Sequence, residues 1–213
     1  MTPSEMTALV ERTCGAAPVV PVLTVTDVAH ALPLAQALVA GGLPALEVTL
    51  RTPNALDVIA AMADVDGAIT GAGTVLTPAN IKDAKAAGAT FAVSPGATPD
   101  LLDAAEAAGM PLLPGAASAS EAMVLFERGY EILKFFPAEA AGGRPLLKSL
   151  SAPLPGIRFC PTGGVSRDNA QAYLDLPKTV CVGGSWVCPS DAIAQNDWDH
   201  IRALAVDAAS LTR

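Results

Sequence analysis

Short apolar segments recur along the chain, each close to a glycine, proline, serine or threonine, and alanine-rich stretches that favour helix separate them. A strand that is apolar on both faces is typical of a parallel sheet covered on both sides. Consecutive segments begin roughly 20 to 27 residues apart, close to the length of a βα unit, so the pattern predicts a (β/α)8 barrel. The eight predicted strands are Val19 to Val25, Ala45 to Leu50, Ala68 to Val75, Phe91 to Pro95, Pro111 to Gly115, Ile132 to Pro137, Arg158 to Val165 and Thr179 to Trp186.

The boundaries of the helical stretches carry the expected signals. A hydroxyl side chain before the first helical turn accepts a backbone N–H, and proline is favoured at the first helical position. The candidate caps are Thr52-Pro53, Thr77-Pro78, Thr98-Pro99, Ser118 and Ser166. Glycines follow four helical stretches, where a left-handed closing residue is expected; they are Gly41, Gly88, Gly109 and Gly129.

The domain organisation predicted from these signals is a single barrel over residues 1–213, with no linker or low-complexity segment. Residues 3 to 14 are predicted to form an additional helix before the first strand, which would close the bottom of the barrel. The alternative is a doubly wound open sheet, which the strand count and the absence of an early Gly-x-Gly-x-x-Gly disfavour.

Composition narrows the function. The 213 residues are 51% hydrophobic and 16% charged, enough for one domain with a large core. The sequence shows neither a membrane-length apolar run nor a signal peptide, so we expect a cytoplasmic protein with no membrane partner. A net charge of −8 without a basic tract disfavours binding to nucleic acid. An anionic small substrate would need a local positive site.

Cysteine and histidine spacing gives no sign of a metal centre. The four cysteines lack a Cys-x-x-Cys pair, and the two histidines lie far apart. We therefore expect no metal and no cofactor, with buried cysteines and histidines on helix surfaces. The residues concerned are Cys14, Cys160, Cys181, Cys188, His30 and His200.

Lys134 stands in the middle of the apolar strand Ile132 to Pro137. Burying an ammonium without a partner is costly, and a lysine that becomes neutral near pH 7 is a nucleophile that forms a Schiff base with a ketone. The alternative is a structural lysine, whose stem reaches the barrel mouth or whose charge pairs with a carboxylate.

The ends of two other strands add polar groups at the same edge. Side chains alternate along a strand, so Glu47, Thr49 and Arg51 share one face. Glu47 is a candidate general acid and base beside Arg51, the alternative being a structural ion network. Thr74, in the glycine-rich end of the third strand, could donate a hydrogen bond to a carboxylate.

Glycine pairs end the last two strands, in Pro161 to Val165 and Val182 to Trp186. Barrels often bind phosphate at these two positions, through backbone N–H groups and a short helix. The alternative is a pair of tight turns. An amine, a proton carrier and an anion site at one mouth would suit imine chemistry on a phosphorylated keto acid.

The sequence resembles the 2-keto-3-deoxy-6-phosphogluconate (KDPG) aldolases, grouped with the 4-hydroxy-2-oxoglutarate (KHG) aldolases. The resemblance runs from about Val19 to Trp186 and depends on five segments in the same order. These are Leu46 to Arg51, Gly71 to Val75, Lys134 to Glu139, Pro161 to Val165 and Gly183 to Ser185.

The resemblance implies a metal-independent class I aldolase, usually a homotrimer, that cleaves KDPG to pyruvate and glyceraldehyde 3-phosphate. It implies Lys134 as the Schiff-base amine and Glu47 as the proton shuttle. Arg51 and Thr74 would bind the pyruvate carboxylate, and Phe136 would line the site. Thr162 would contact the substrate and leans toward the gluconate isomer. The residues implied for the distal phosphate are Gly163, Gly164, Gly184 and Ser185.

Three other functions stay open. The first is the same mechanism on 2-keto-3-deoxy-6-phosphogalactonate or KHG. The second is a barrel that binds a phosphorylated metabolite without catalysis, against which the combination of Lys134, Glu47 and Arg51 argues. The third is a phosphosugar isomerase or epimerase, which would share the phosphate loops without needing an imine.

Overall fold

The computed structural model describes residues 3 to 212 and consists of parallel strands surrounded by helices. The strands are β1 (Val19–Leu23), β2 (Ala45–Thr49), β3 (Ile69–Gly73), β4 (Phe91–Val93), β5 (Leu112–Leu113), β6 (Gly115–Ala116), β7 (Ile132–Phe135), β8 (Arg158–Pro161) and β9 (Val182–Gly184). The helices are α1 (Pro3–Gly15), α2 (Ala31–Ala40), α3 (Ala55–Ala63), α4 (Pro78–Ala86), α5 (Pro99–Ala108), α6 (Ala119–Glu127), α7 (Ala138–Ala141), α8 (Gly143–Ser151), α9 (Arg167–Leu174), α10 (Ser190–Ala194) and α11 (Trp198–Ala209), with a 3-10 turn at Val28–His30. Across residues 3 to 212, the helices lack the length and apolar character needed to cross a bilayer.

Each predicted apolar segment contains an observed strand, but the strands are shorter than the segments. The segment Pro111 to Gly115 is divided into β5 and β6 at Pro114, which has no N–H to donate to a neighbouring strand. The Pro114 carbonyl instead accepts the backbone N–H of Lys134 at 2.9 Å. The last segment is regular only over β9, and Thr179 forms an isolated bridge with Phe159.

The strands form one curled parallel arrangement in two sheets. The six-stranded sheet has the order β5-β4-β3-β2-β1-β9, and the three-stranded sheet has the order β6-β7-β8. The sheets are connected at one end through Pro114, and at the other a parallel bridge joins Thr162 to Gly183. From β1 to β5 the neighbours are consecutive in sequence, unlike the reversing order of a doubly wound sheet.

Side chains from strands of both sheets meet in one apolar cluster, called here the inner core. A second, larger cluster fills the space between the strands and the helices. The inner core contains Val10, Cys14, Val20, Ala45, Phe91, Val93, Leu113, Ile132, Cys160 and Cys181. Two of these residues, Val10 and Cys14, come from α1. The inner side of the strands is therefore filled with apolar groups.

Most predicted helix caps are present. Three hydroxyl side chains accept the N–H of the third helical residue; these are Thr77, Thr98 and Ser118. At the start of α9, the N–H of Ser166 donates to Asn169 Oδ1 at 2.8 Å. The prediction for Thr52 is wrong, because α3 begins only at Ala55. The Thr52 hydroxyl donates instead to the Val25 carbonyl at 2.9 Å.

The predicted closing glycines agree with the structure at three of four positions. Gly88, Gly109 and Gly129 have φ values of 95°, 60° and 98°, in the left-handed region that glycine enters without steric cost. Gly41 ends α2 with a right-handed φ of −82°, and the next residue, Gly42, takes the left-handed conformation at 91°.

Candidate active site

The Lys134 ammonium and the Glu47 carboxylate form a buried ion pair. Lys134 Nζ donates to Glu47 Oε1 at 3.1 Å, and the two side chains are only 5% and 4% exposed. The two residues lie 87 positions apart in sequence and are brought together by β7 and β2. Desolvating two charges is expensive, so a buried ion pair that lies against a cleft is a candidate functional site.

Alternation along the strands turns both side chains inward. On β7, Leu133 and Phe135 pack in the larger cluster, between the strands and the helices, so Lys134 between them faces the inner side. On β2, Leu46 and Val48 do the same for Glu47. The hydrophobic positions of these strands therefore determine where the polar pair points.

A glycine on the adjacent strand makes room for the carboxylate. Gly73 ends β3 beside Glu47, and a Cβ at this position would lie 2.4 Å from Glu47 Oε1. No side chain fits there without displacing the carboxylate. Close to the amine, the Phe136 ring centroid lies 5.2 Å from Lys134 Nζ, within the range of a cation–π contact.

Arg51 is held beside the pair by an unusual threonine. Its Nε donates to Thr74 Oγ1 at 3.2 Å. Thr74 has a φ of 57°, a left-handed conformation that is rare and strained for a β-branched residue. Strain of this kind persists where the surrounding structure imposes it, and it is frequent in ligand-binding sites. Here it fixes the hydroxyl that orients the exposed Arg51 guanidinium.

The two glycine pairs bring backbone close to the site. Gly163 and Gly164 have φ values of 97° and 79°, so the turn after β8 requires them. A Cβ at Gly183 would lie 2.3 Å from Thr162 Oγ1, and one at Gly184 would lie 1.8 Å from the Trp186 ring. The sequence offered tight turns and anion binding as alternatives, and the turn geometry at Gly163 and Gly164 is compatible with both.

A cavity of about 540 Å³ joins these groups at the carboxyl ends of the strands. Eight of the ten predicted site residues line it: Arg51, Lys134, Phe136, Thr162, Gly163, Gly164, Gly184 and Ser185. The other two, Glu47 and Thr74, lie behind the lining and contact it through Lys134 and Arg51. The structure therefore brings all the predicted residues to one place.

Sequence reasoning missed three residues with polar side chains at or behind the cavity wall. Thr24 and Glu139 line it. The hydroxyl of buried Tyr173 donates to Glu139 Oε1, and burial, followed by this contact, raises the pKa of Tyr173. Thr24 follows β1, so the strand-end rule could have found it, whereas the link from Tyr173 to Glu139 has no local signal.

The four cysteines are all buried, as predicted. Within residues 3 to 212, no three or more histidine, cysteine or acidic side chains are grouped in a way that would hold a metal ion.

Comparison with known proteins gives the family. The family model described as KDPG and KHG aldolase matches residues 10–204. A relative in Pseudoalteromonas atlantica, named 2-dehydro-3-deoxy-phosphogluconate aldolase, is 54% identical over 194 residues, which cover 91% of this chain and 90% of the relative.

Two solved structures have the same fold with high similarity. The KDPG aldolase of Zymomonas mobilis ZM4 with 3-phosphoglycerate has a TM-score of 0.92 and 48% identity, with 96% of each chain covered. The KDPG aldolase of Legionella pneumophila, with pyruvate captured as a covalent carbinolamine, has a TM-score of 0.91 and 47% identity, with 94% of this chain and 98% of that chain covered. The chain therefore belongs to the KDPG and KHG aldolase family.

Proposed function

We propose that this protein is a class I aldolase that cleaves KDPG to pyruvate and glyceraldehyde 3-phosphate. The observation that carries the proposal is the buried ion pair between Lys134, which lines the cavity, and Glu47, whose Oε1 lies 3.1 Å from the Lys134 Nζ. An amine next to a proton carrier is what Schiff-base chemistry requires. The family and its named relatives support the same activity.

The first half of the reaction forms the imine. One proton moves from Lys134 to Glu47 along their hydrogen bond, which leaves a neutral amine beside a carboxylic acid. The amine attacks the C2 ketone and gives a carbinolamine. Glu47 then protonates its hydroxyl, which leaves as water, and a protonated imine remains on Lys134.

The second half breaks the carbon chain. The Glu47 carboxylate, directly or through water, takes the proton of the C4 hydroxyl. The C3–C4 bond breaks, its electron pair moves into the imine, and glyceraldehyde 3-phosphate leaves. The resulting enamine is protonated at C3, and water hydrolyses the imine to release pyruvate and restore the amine.

The two ends of the substrate are assigned to the two ends of the cavity. Arg51, oriented by Thr74, binds the carboxylate with its planar guanidinium. At the other end, Ser185 and the backbone of Gly163, Gly164 and Gly184 hold the phosphate, and Thr162 and Phe136 contact the carbon chain between them. Remote phosphate binding positions C2 against the amine. Neither a metal nor a cofactor takes part.

Borohydride reduction in the presence of pyruvate tests the imine. We expect inactivation and a pyruvyl adduct on the peptide that contains Lys134, with no adduct when pyruvate is omitted. A folded protein that forms no adduct would contradict the aldolase and favour a phosphosugar isomerase or a binding protein.

Substrate preference is tested separately. We expect cleavage of KDPG to be faster than that of the galactonate isomer and of KHG. The Ser185→Ala variant should raise KM for KDPG more than for KHG, which carries no phosphate. An equal effect on both substrates would contradict the phosphate role of Ser185.

We further propose that the strands close completely and that several copies of the chain assemble. The strands close into a (β/α)8 barrel that forms one domain, with α1 against the inner core. The bridge between Thr162 and Gly183 and the short interruption at Pro114 support closure. Three copies form a homotrimer in the cytoplasm. Light scattering of the purified protein measures the number of subunits, and a monomer would contradict the assembly.

A further inference from the structure

Three cysteines lie together in the inner core, and the proposed aldolase reaction uses none of them. Cys14 comes from the end of α1, Cys160 from β8 and Cys181 from the residue before β9. Cys181 Sγ donates to Cys160 Sγ at 3.4 Å, and Cys181 also has a hydrogen bond with Cys14. A fourth cysteine, Cys188, lies apart and donates to backbone carbonyls.

The thiols of Cys160 and Cys181 differ in their pKa values. The hydrogen bond from Cys181 lowers the pKa of the Cys160 thiol against the effect of burial, and Thr162 and the Lys134 charge lower it further. The pKa of Cys181 is raised by its hydrogen bonds with Cys14 and Cys160 and by burial. Burial raises the pKa of Cys188 to about 12. Because the thiolate is the reactive form, Cys160 is the thiol of the two that forms it more readily.

The pair lies directly behind the wall of the cavity. Cys160 is the register partner of Lys134 on the adjacent strand. Its Sγ lies 3.8 Å from Thr162 Oγ1, and Thr162 lines the cavity. A small neutral molecule that enters the cavity is therefore separated from Cys160 by the Thr162 side chain.

The backbone around the pair is irregular. Parallel bridges join Phe159 to Thr179 and Thr162 to Gly183. Between these bridges, two residues of one strand (160 and 161) oppose three of the other (180 to 182), the count of a β-bulge. A bulge interrupts the regular ladder, so the two sulfurs can approach each other with less resistance than in a continuous one.

We propose that Cys160 and Cys181 are an oxidation site at which hydrogen peroxide forms a disulfide that stops aldol cleavage. The Cys160 thiolate attacks one peroxide oxygen, the O–O bond breaks, hydroxide leaves, and Cys160 becomes a sulfenic acid. The Cys181 sulfur then attacks the Cys160 sulfur and the S–O bond breaks. The Cys181 proton leaves with the displaced hydroxide as water. Overall, two thiols lose two hydrogens and peroxide is reduced to water.

The disulfide would disturb the site through β8. The sulfurs must move from 3.4 Å to about 2.05 Å apart, and this displaces Cys160. The Thr162 hydroxyl donates to the Cys160 carbonyl, so the Thr162 side chain is displaced as well. A displacement of about 1 Å in a catalytic site can lower the rate roughly 10²-fold. In a reducing compartment such a bond is transient, as is typical of redox-sensing cysteines.

The experiment treats the fully reduced protein with hydrogen peroxide, alkylates the remaining thiols after denaturation, and maps the peptides by mass spectrometry. We expect a peptide pair joined through Cys160 and Cys181, lighter by two hydrogens, with Cys188 alkylated. Cleavage activity should fall roughly 10²-fold and return with dithiothreitol.

Two variants sharpen the result. Cys188→Ser should behave as the parent protein. Cys181→Ser should keep the basal activity but stop at the sulfenic acid of Cys160, which dimedone traps. A disulfide between Cys14 and Cys181, four free thiols after treatment, or a disulfide between Cys160 and Cys181 with unchanged activity would each overturn the proposal. Basal cleavage of KDPG by the reduced protein tests the proposed function separately.

Discussion

Two ion pairs, each between a basic side chain and a glutamate, lie in opposite environments of this protein. Lys134 and Glu47 meet at the inner side of the strands with side chains 5% and 4% exposed. Arg158 at the start of β8 and Glu11 on α1 meet at the surface with side chains 30% and 53% exposed. Each pair joins residues distant in sequence, 87 and 147 positions apart, so both connect separate elements of the fold.

The two ion pairs differ in what they contribute to the stability of the fold. An exposed pair is worth about 0–1 kcal/mol, because water already solvates the separated charges well. A buried pair loses several kcal/mol of solvation per ion, and apolar residues of similar volume are often at least as stable. The inner pair is therefore a poor device for stability, and its chemistry explains its presence better than its contribution to the fold.

The largest expected effect comes from breaking the inner pair on one side. Lys134→Met should abolish cleavage and leave the Glu47 carboxylate buried without a partner, at a cost of about 3–5 kcal/mol in the free energy of unfolding. Adding Glu47→Leu should restore most of that stability while the enzyme stays inactive. Urea denaturation and a cleavage assay measure both. A double variant less stable than the single one would contradict the comparison.

Removing only the proposed proton carrier should give the next largest effect. Glu47→Gln keeps an oxygen that accepts from Lys134 but cannot carry a proton, so the fold should persist while kcat falls about 10²–10⁴-fold. The matched control is Glu127→Gln at the exposed end of α6, which should change neither quantity. An unchanged kcat in Glu47→Gln would assign the proton transfer to another residue.

Relieving the backbone strain at Thr74 should have a smaller effect, which stabilises the fold but weakens substrate binding. Thr74→Gly relieves a left-handed φ of 57°, which costs about 1–3 kcal/mol, and loses part of this gain to chain entropy. The free energy of unfolding should therefore rise modestly. KM for the keto acid should also rise, because Arg51 loses its hydrogen bond to the Thr74 hydroxyl.

Asn196→Gly is the matched control for this variant. Asn196 also has a φ of 57°, at the end of α10 and away from the cavity. It should gain little stability, since asparagine tolerates this conformation, and its KM should not change. A rise in KM in both variants would contradict the role of Thr74 in orienting Arg51.

The sequence predicted those parts of the fold and site that depend on short-range patterns. Apolar runs located all the strands, and Thr77 and Thr98 were recognised as caps because a cap is defined within four residues. Thr52 carries the same local signal, but its hydroxyl bonds to Val25, 27 positions earlier in the sequence. The Val25 carbonyl, which follows another strand, takes the Thr52 hydroxyl away from the capping role, and no local sequence pattern predicts this contact.

The site shows the same limit. Strand alternation placed Lys134 and Glu47 on the inner face, but their contact depends on the register of strands separated in the sequence. The thiol pair of Cys160 and Cys181 depends on a bulge between two strands, so the sequence predicted burial and not proximity.

The smallest expected effect comes from breaking the surface pair with Glu11→Gln. The hydrogen bond from Arg158 lowers the pKa of Glu11 below 4.5. Because the folded-state pKa is the lower one, the pair contributes stability above the unfolded pKa and loses it as pH falls through the folded pKa. The variant should lose at most about 1 kcal/mol at neutral pH, less in high salt, with kcat unchanged. Thermal unfolding of the two proteins should therefore converge as pH falls below about 4.5. A difference that persists in acid, or a change in kcat, would mean that the pair holds α1 and β8 in a way that reaches the active site.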